Sequence, residues 1–358
     1  MNPWADVPSS IRYPLSFAIP FLATLLLTPR AAALARRLGA IDEPHGHKTH
    51  AAATPYLGGA AVAAGVAGIG VLSGGAAGEL VTILACGGML ALLGFLDDVR
   101  GISPVVRLSF EAACGLFLWQ AGIRAGIFDA VWADLGLTCL WVVAVTNAVN
   151  FIDNMDGVAA GVAAVSAFGL FAIAAFEGDL LVASFAIAVS GASLGFLRHN
   201  FPPARIFLGD AGSLLLGFLL AALGLQLDLV GPSGVLRGTI AALAVGVPLF
   251  DLGLVVASRV AGRRPVHVGG TDHSTHRLSA RGMTSRRIAL SLMGIQAICS
   301  GAAFLLFRAG AMATVAVAVA IIAAVPCAIL LSIRREIRTG PAVTVAEPLK
   351  ARSVARAP

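Results

Sequence analysis

Three asparagines and two aspartates crowd into Asn147-Ala148-Val149-Asn150-Phe151-Ile152-Asp153-Asn154-Met155-Asp156-Gly157, between two long apolar runs. Carboxylates at the end of an apolar helix are costly unless a pore, a cation or a substrate uses them. Asn150, Asp153 and Asp156 are spaced by three, about one helical turn, so their oxygens can share one side of a helix or of a first turn. An oxygen-only set suits Mg2+, with Mn2+ as a substitute, rather than zinc. Helix capping around Asp156-Gly157 explains the same residues without a ligand and can coexist with one.

Four further polar stretches interrupt the apolar chain. The first, from Asp42 to His50, contains Lys48, which can pair with a phosphate, and is followed by Pro55 and Gly58-Gly59. The second contains Asp97-Asp98, with Arg107 further on. Adjacent carboxylates ending a helix repel each other at the negative end of its dipole, a conflict that a divalent cation or a shared proton would relieve. The third runs from Asn200 into Gly209-Asp210-Ala211-Gly212-Ser213. Glycines at a helix start expose N–H groups to phosphate, and an aspartate among them favours a metal–diphosphate site over a bare phosphate pocket. The fourth, basic and the longest, contains Asp272-His273-Ser274-Thr275-His276-Arg277. Hydrogen bonding to phosphate or sugar suits this histidine pair better than zinc, because no His-Glu-x-x-His pattern is present. Each stretch alone also reads as a solvated turn, an N-cap or a basic anchor.

The elements that must position these residues are membrane helices. Of 358 residues, 58% are hydrophobic and 12% charged, and the mean hydropathy is +0.88, so the bilayer has to act as solvent. The fold class expected is all-α and polytopic. Spans are predicted near 14–29, 57–73, 80–96, 108–122, 134–150, 158–176, 180–197, 213–230, 237–257, 288–307 and 312–333, ten or eleven in all. With the N-terminus outside, 21 of the 25 Lys and Arg fall on the cytoplasmic side, as do all seven histidines and the acidic pairs. The net charge of +6 then reports basic inner loops and not a nucleic-acid partner. A transporter would be expected to carry ionisable groups at mid-helix, and none is apparent. The five cysteines have no CxxC partner and read as small core residues. Residues 1–338 read as one membrane domain and 339–358 as a disordered cytoplasmic tail.

Taken together, Pro55…Gly58-Gly59, Asp97-Asp98, Asn147-x-x-Asn150-x-x-Asp153-x-x-Asp156-Gly157, Gly209-Asp210-Ala211-Gly212-Ser213 and His273-x-x-His276 resemble, in order, the polyprenyl-phosphate N-acetylhexosamine-1-phosphate transferases. That superfamily includes WecA, TagO and MraY, and the single His273-x-x-His276 pair looks more like the WecA and TagO branch. The resemblance implies an enzyme of the plasma membrane that moves a sugar 1-phosphate, foremost N-acetylglucosamine 1-phosphate, from a UDP-N-acetylhexosamine to polyprenyl phosphate. The products would be a polyprenyl-diphosphate-sugar and UMP. By the same implication Asn150 and Asp210 ligate Mg2+. Asp97 and Asp98 bind and activate the lipid phosphate, with Asp98 as base, while Asp153 and Asp156 organise the metal–nucleotide site. Lys48, Arg107, Asn147, Asn200, Gly209, His273, His276 and Arg277 contact substrate. Asn154 departs from the family, which usually has glycine there. A sibling transferase for a muramoyl-peptide or diamino sugar is the nearest alternative, a cation-coupled transporter a more distant one, and a homodimer is left open.

Overall fold

The computed structural model describes residues 7–42, 54–72, 78–227, 234–266 and 270–309. Lys48, the span predicted at 312–333 and the tail at 339–358 lie outside them. Twelve helices are described: α1 (Ser9–Leu38), α2 (Gly58–Leu72), α3 (Gly78–Arg100), α4 (Pro104–Gln120), α5 (Val131–Ile152), α6 (Val158–Glu177), α7 (Leu180–Asn200), α8 (Gly209–Leu225), α9 (Gly234–Ala244), α10 (Gly246–Ala261), α11 (Ser274–Ser279) and α12 (Ser285–Ala309). One short antiparallel pair, β1 (Ile41–Asp42) with β2 (Thr54–Pro55), sets Ile41 opposite Pro55. This is an all-α, multi-pass membrane architecture. Six helices, α1, α3, α5, α6, α7 and α12, are long and apolar enough to cross a bilayer, and α9 with α10 makes a seventh if the bent pair is one span. The ten predicted spans from 14–29 to 288–307 each fall on a described helix or on the bent pair, with α2, α4 and α8 described over 15, 17 and 17 residues. At 1.5 Å per residue, 17 residues reach about 26 Å, short of a hydrocarbon core of about 30 Å.

Helix α8 is the axis of the bundle: from Ala211 to Gly224 every residue is buried. It packs on α3, α5 and α2, and two glycine contacts fix its depth. A Cβ on Gly94 would strike the Asp210 backbone, and one on Gly59 would strike the backbone of Gly212. Without a hydrophobic drive between helices in lipid, such close approach is what holds them. Those contacts also bring the ends of α2, α3 and α8 to one place.

The predicted span 237–257 is in fact broken at Val245, and α9 and α10 meet at 86°. A break at membrane depth frees backbone groups that lipid cannot satisfy. Gln296 of α12 satisfies them. Its side chain, fully buried, donates to the carbonyls of Leu243 (3.3 Å) and Ala244 (2.8 Å) and accepts from the N–H of Val247 (3.0 Å). Gln296→Leu keeps the apolar bulk and orphans three groups, each costing about 1–3 kcal/mol when buried. A clear fall in thermal unfolding temperature in detergent is expected. An unchanged transition would show that the bend is held by packing alone.

Candidate active site

The acidic pair sits in the last turn of α3, where the sequence argument called for a cation or a proton to relieve it. The structure relieves it with backbone. Asp98 Oδ1 accepts from the N–H of Asp210 (2.9 Å) and Oδ2 from that of Ala211 (3.3 Å), so the negative end of α3 meets the positive end of α8. These two N–H groups, expected to face a phosphate, are occupied by Asp98. Gly209, with φ at +71°, makes the left-handed entry into α8 and lies against the Asp98 carboxylate. Asp98, the expected base, also holds two helix ends together.

Asp97 turns the other way. Its Oδ1 accepts from Ile102 N (2.6 Å) and its Oδ2 faces Arg107 Nη1 at 3.3 Å. Arg107 was expected in a loop, but Ser103 caps the Val106 N–H and Pro104 opens α4 at its first position, which places Arg107 on that helix. There its guanidinium meets Asn147 Oδ1 at 3.4 Å and Asp210 Oδ2 at 3.7 Å, with Glu111 Oε1 3.8 Å from Nε. Asn147 closes the ring by donating to the other Glu111 oxygen and to Val143 O (2.8 Å). Glu111 is wholly buried. It is a mid-helix acid that the sequence argument passed over, and pairing with Arg107 and Asn147 is what makes it tolerable there.

Asn150, on the last turn of α5, donates from Nδ2 to Asp210 Oδ1 (2.7 Å) and to Ser213 Oγ (2.9 Å). The amide's oxygen and nitrogen are interchangeable by a flip, so this side chain can offer either to a ligand. Asn150, Asp153 and Asp156 do not share one helical face as their spacing suggested, because α5 ends at Ile152 and Asp153 is its C-cap. Burial first, then the like charges of Asp210, Asp98 and Asp156, push the Asp153 carboxyl well above the ordinary range. Asp156 instead accepts from Ala204 N (2.9 Å). Asn200, at 3% exposure, bridges Gly157 N and Ile206 O, both at 2.9 Å. Asp156 and Asn200 therefore brace one loop against another.

Beyond the acidic loop lies α11. His273 Nδ1 meets Asp251 Oδ2 at 2.8 Å, and the other Asp251 oxygen accepts from Ser274 N (2.7 Å). Asp251, buried on α10, fixes the histidine's orientation. It is the second buried acid missed from sequence, since nothing in an apolar helix announces its partner. Phe151 touches the His273 ring edge-on at 6.0 Å between centroids, and Thr275 Oγ1 donates to Asn154 Oδ1. Asn154 also donates to Phe151 O (2.6 Å), so the residue that replaces the family glycine joins the acidic loop to the histidine helix. Asp272 anchors the approach to α11 between Arg259 Nε (3.2 Å) and Arg264 Nη2 (2.6 Å). Burial would raise its carboxyl, but the two guanidiniums outweigh that and hold it below the usual range. Arg277 is committed to Asp272 O (2.8 Å) and Ser258 Oγ (2.6 Å).

The His276 ring lies tilted against that of His273, 5.7 Å between centroids, and its Nδ1 is buried without a partner among the described residues. Burial, helped by the charge of His273, lowers its pKa below the ordinary value. A depressed folded pKa means that only the unfolded chain takes up this proton near pH 6.5. Its contribution to stability is complete above the unfolded value and is lost as pH falls through the folded one. Thermal unfolding compared at pH 7.5 and 5.5 should show a larger acid loss for the wild type than for His276→Gln. Equal losses would refute the assignment.

Chemically, the site is a cationic Arg107 set among three carboxylates, Asp97, Glu111 and Asp210, with histidines on one flank. No three His, Cys, Asp or Glu among the described residues form a ready metal cage. Asn150 beside Asp210 is a partial, all-oxygen donor pair, which fits Mg2+ because that ion keeps waters and takes substrate phosphate oxygens as ligands.

The profile of glycosyl transferase family 4 matches residues 80–228, the stretch that holds Asp97, Asp98, Arg107, Asn150 and Asp210. A probable undecaprenyl-phosphate N-acetylglucosaminyl 1-phosphate transferase of Bacillus subtilis is 33% identical, covering 83% of this chain and 85% of that one. A decaprenyl-phosphate N-acetylglucosaminephosphotransferase of Mycobacterium tuberculosis is 28% identical over 80% of each. An undecaprenyl-phosphate alpha-N-acetylglucosaminyl 1-phosphate transferase of Escherichia coli K12 is 29% identical, covering 75% and 76%. The chain belongs to glycosyl transferase family 4, among the polyprenyl-phosphate N-acetylglucosamine-1-phosphate transferases.

Proposed function

We propose that this chain transfers N-acetylglucosamine 1-phosphate from UDP-N-acetylglucosamine to a polyprenyl phosphate, releasing UMP. The observation that carries this reading is the convergence of Arg107, Asn150 and Asp210 at one end of the bundle, from three separate helices. Two anionic phosphates must meet there, and the guanidinium offsets their repulsion. An oxygen of the lipid phosphate attacks the sugar-bearing phosphorus, the diphosphate bond breaks, and UMP leaves with the electron pair. No covalent enzyme intermediate is invoked.

Asn150 and Asp210 would hold Mg2+, which when bound supplies charge to the reacting diphosphate. Asp97 and Asp98 receive the lipid phosphate, with Asp98 as its base, while Asp97 also aims Arg107 and Asp98 also fixes the start of α8. Asp153 and Asp156 shape the floor beneath them, while His273 and His276 face the sugar or its phosphate. The orientation is N-terminus outside, with this end of the bundle at the cytoplasmic face of the plasma membrane. The reading is tested by purified protein with polyprenyl phosphate, Mg2+ and a panel of UDP-sugars, followed by UMP release. UDP-N-acetylglucosamine should give the fastest release. A muramoyl-peptide or diamino sugar turning over faster would move the chain to a sibling specificity.

A further inference from the structure

Away from that site, a cavity of about 730 Å3 opens between α1, α7 and the loop at residues 201–205. Its floor is apolar, made by Phe21 and Leu25 of α1 with Leu194 and Leu197 of α7. Its rim is cationic, made by Arg198, Arg205 and Arg286 from α7, the loop and α12. Arg107, Arg259 and Arg264 at the catalytic end are paired with carboxylates, whereas none of these three has an acidic partner among the described residues. Arg286 rests over the Phe201 ring at 5.5 Å and reaches Pro202 O at 3.4 Å, both neutral. The outward face of α1 beside the cavity is apolar, with Leu22 half exposed and Leu26 more so. His199 ties α7 to α1 through Leu25 O at 3.0 Å, which fixes the wall.

We propose that this groove binds an anionic phospholipid of the surrounding bilayer, an acyl chain against the phenylalanine–leucine floor and the phosphate among the three arginines. Basic residues near a membrane surface favour anionic lipid generally. That general bias does not require cations of α7, the following loop and α12 to converge over one apolar cavity. Charge selects the headgroup, because a zwitterionic lipid would bring its own cation to an already cationic rim. The loop under the rim also holds the active-site floor through Ala204 N on Asp156, and Arg205 N on His199 O (2.9 Å) ties that loop to the end of α7, so an occupied groove stiffens the floor.

The test uses the full-length chain in nanodiscs of phosphatidylglycerol mixed with phosphatidylcholine, with retained lipid identified by native mass spectrometry. Wild type should retain phosphatidylglycerol over phosphatidylcholine by at least about tenfold. Arg198→Gln with Arg205→Gln, both exposed and outside the catalytic end, should abolish the preference, and the paired lysine variants should restore most of it. Equal retention of the two lipids by wild type would overturn the proposal. So would a glutamine variant that keeps the preference, or competitive displacement of the retained lipid by polyprenyl phosphate, which would make the groove a substrate path.

Discussion

Replacing Asp210 by asparagine lowers UMP release by about 10²- to 10³-fold, the usual loss when one preorganised electrostatic group is removed, and leaves the protein folded. Asparagine keeps the shape, and the contacts that hold α8 are made by the Asp210 backbone N–H on Asp98, not by its side chain. The side chain meets Asn150, Ser213 through Asn150, and Arg107, so its loss falls on the site. Raising Mg2+ should recover part of the rate if Asp210 is a ligand. Asp98→Asn should behave differently. It puts an amide N–H against one of two backbone donors, so it lowers unfolding temperature as well as rate. A wild-type rate for Asp210→Asn at limiting Mg2+ would remove this residue from the metal site.

Glu111→Ala is the second large effect. It breaks the buried end of the Arg107–Glu111–Asn147 ring, and removing one partner of a buried ion pair costs about 3–5 kcal/mol. Arg107 remains partly exposed and keeps Asp97, so the low end of that range is expected. The functional loss is positional: a guanidinium displaced by about 1 Å costs about 10²-fold in rate. Glu111→Gln separates the two effects, because its carbonyl still accepts from Asn147 while the charge facing Arg107 is gone. It should fold with near-wild-type unfolding temperature, raise KM for the UDP-sugar and lower kcat less. A Glu111→Gln protein with unaltered KM would show that Glu111 is structural only.

The motifs were readable because each is a short run of unusual polar residues at a helix end, and the structure joins those ends: α3 to α8 through Asp98, α4 to α5 through Arg107 and Asn147, α5 to α8 through Asn150. What the runs could not reveal is what each polar group touches. Asp98 is satisfied by backbone N–H groups, which carry no mark in a sequence. Asp156 and Asn200 sit in the same motifs as the ligand candidates yet hold Ala204, Gly157 and Ile206. Glu111, Asp251 and Gln296 are single polar residues inside apolar helices, and only the partner brought in by tertiary packing explains each of them. The break at Val245 was illegible for a related reason. The apolar run continues across it, and the groups that permit it come from α12, about 50 residues away, well beyond any local pattern. Asn154 shows the opposite case. Its departure from glycine was visible, and the structure gives it contacts to Phe151 and Thr275 that glycine cannot make.

Phosphosugar transfer and ordinary glycosyl transfer differ in the fate of one phosphate. With UDP-N-acetylglucosamine labelled in the sugar-bearing phosphate, polyprenyl phosphate and Mg2+, the label should appear in a lipid-extractable diphosphate sugar and the released nucleotide should be unlabelled UMP. Release of labelled UDP, with sugar but no label reaching the lipid, would mean ordinary glycosyl transfer and would contradict the account.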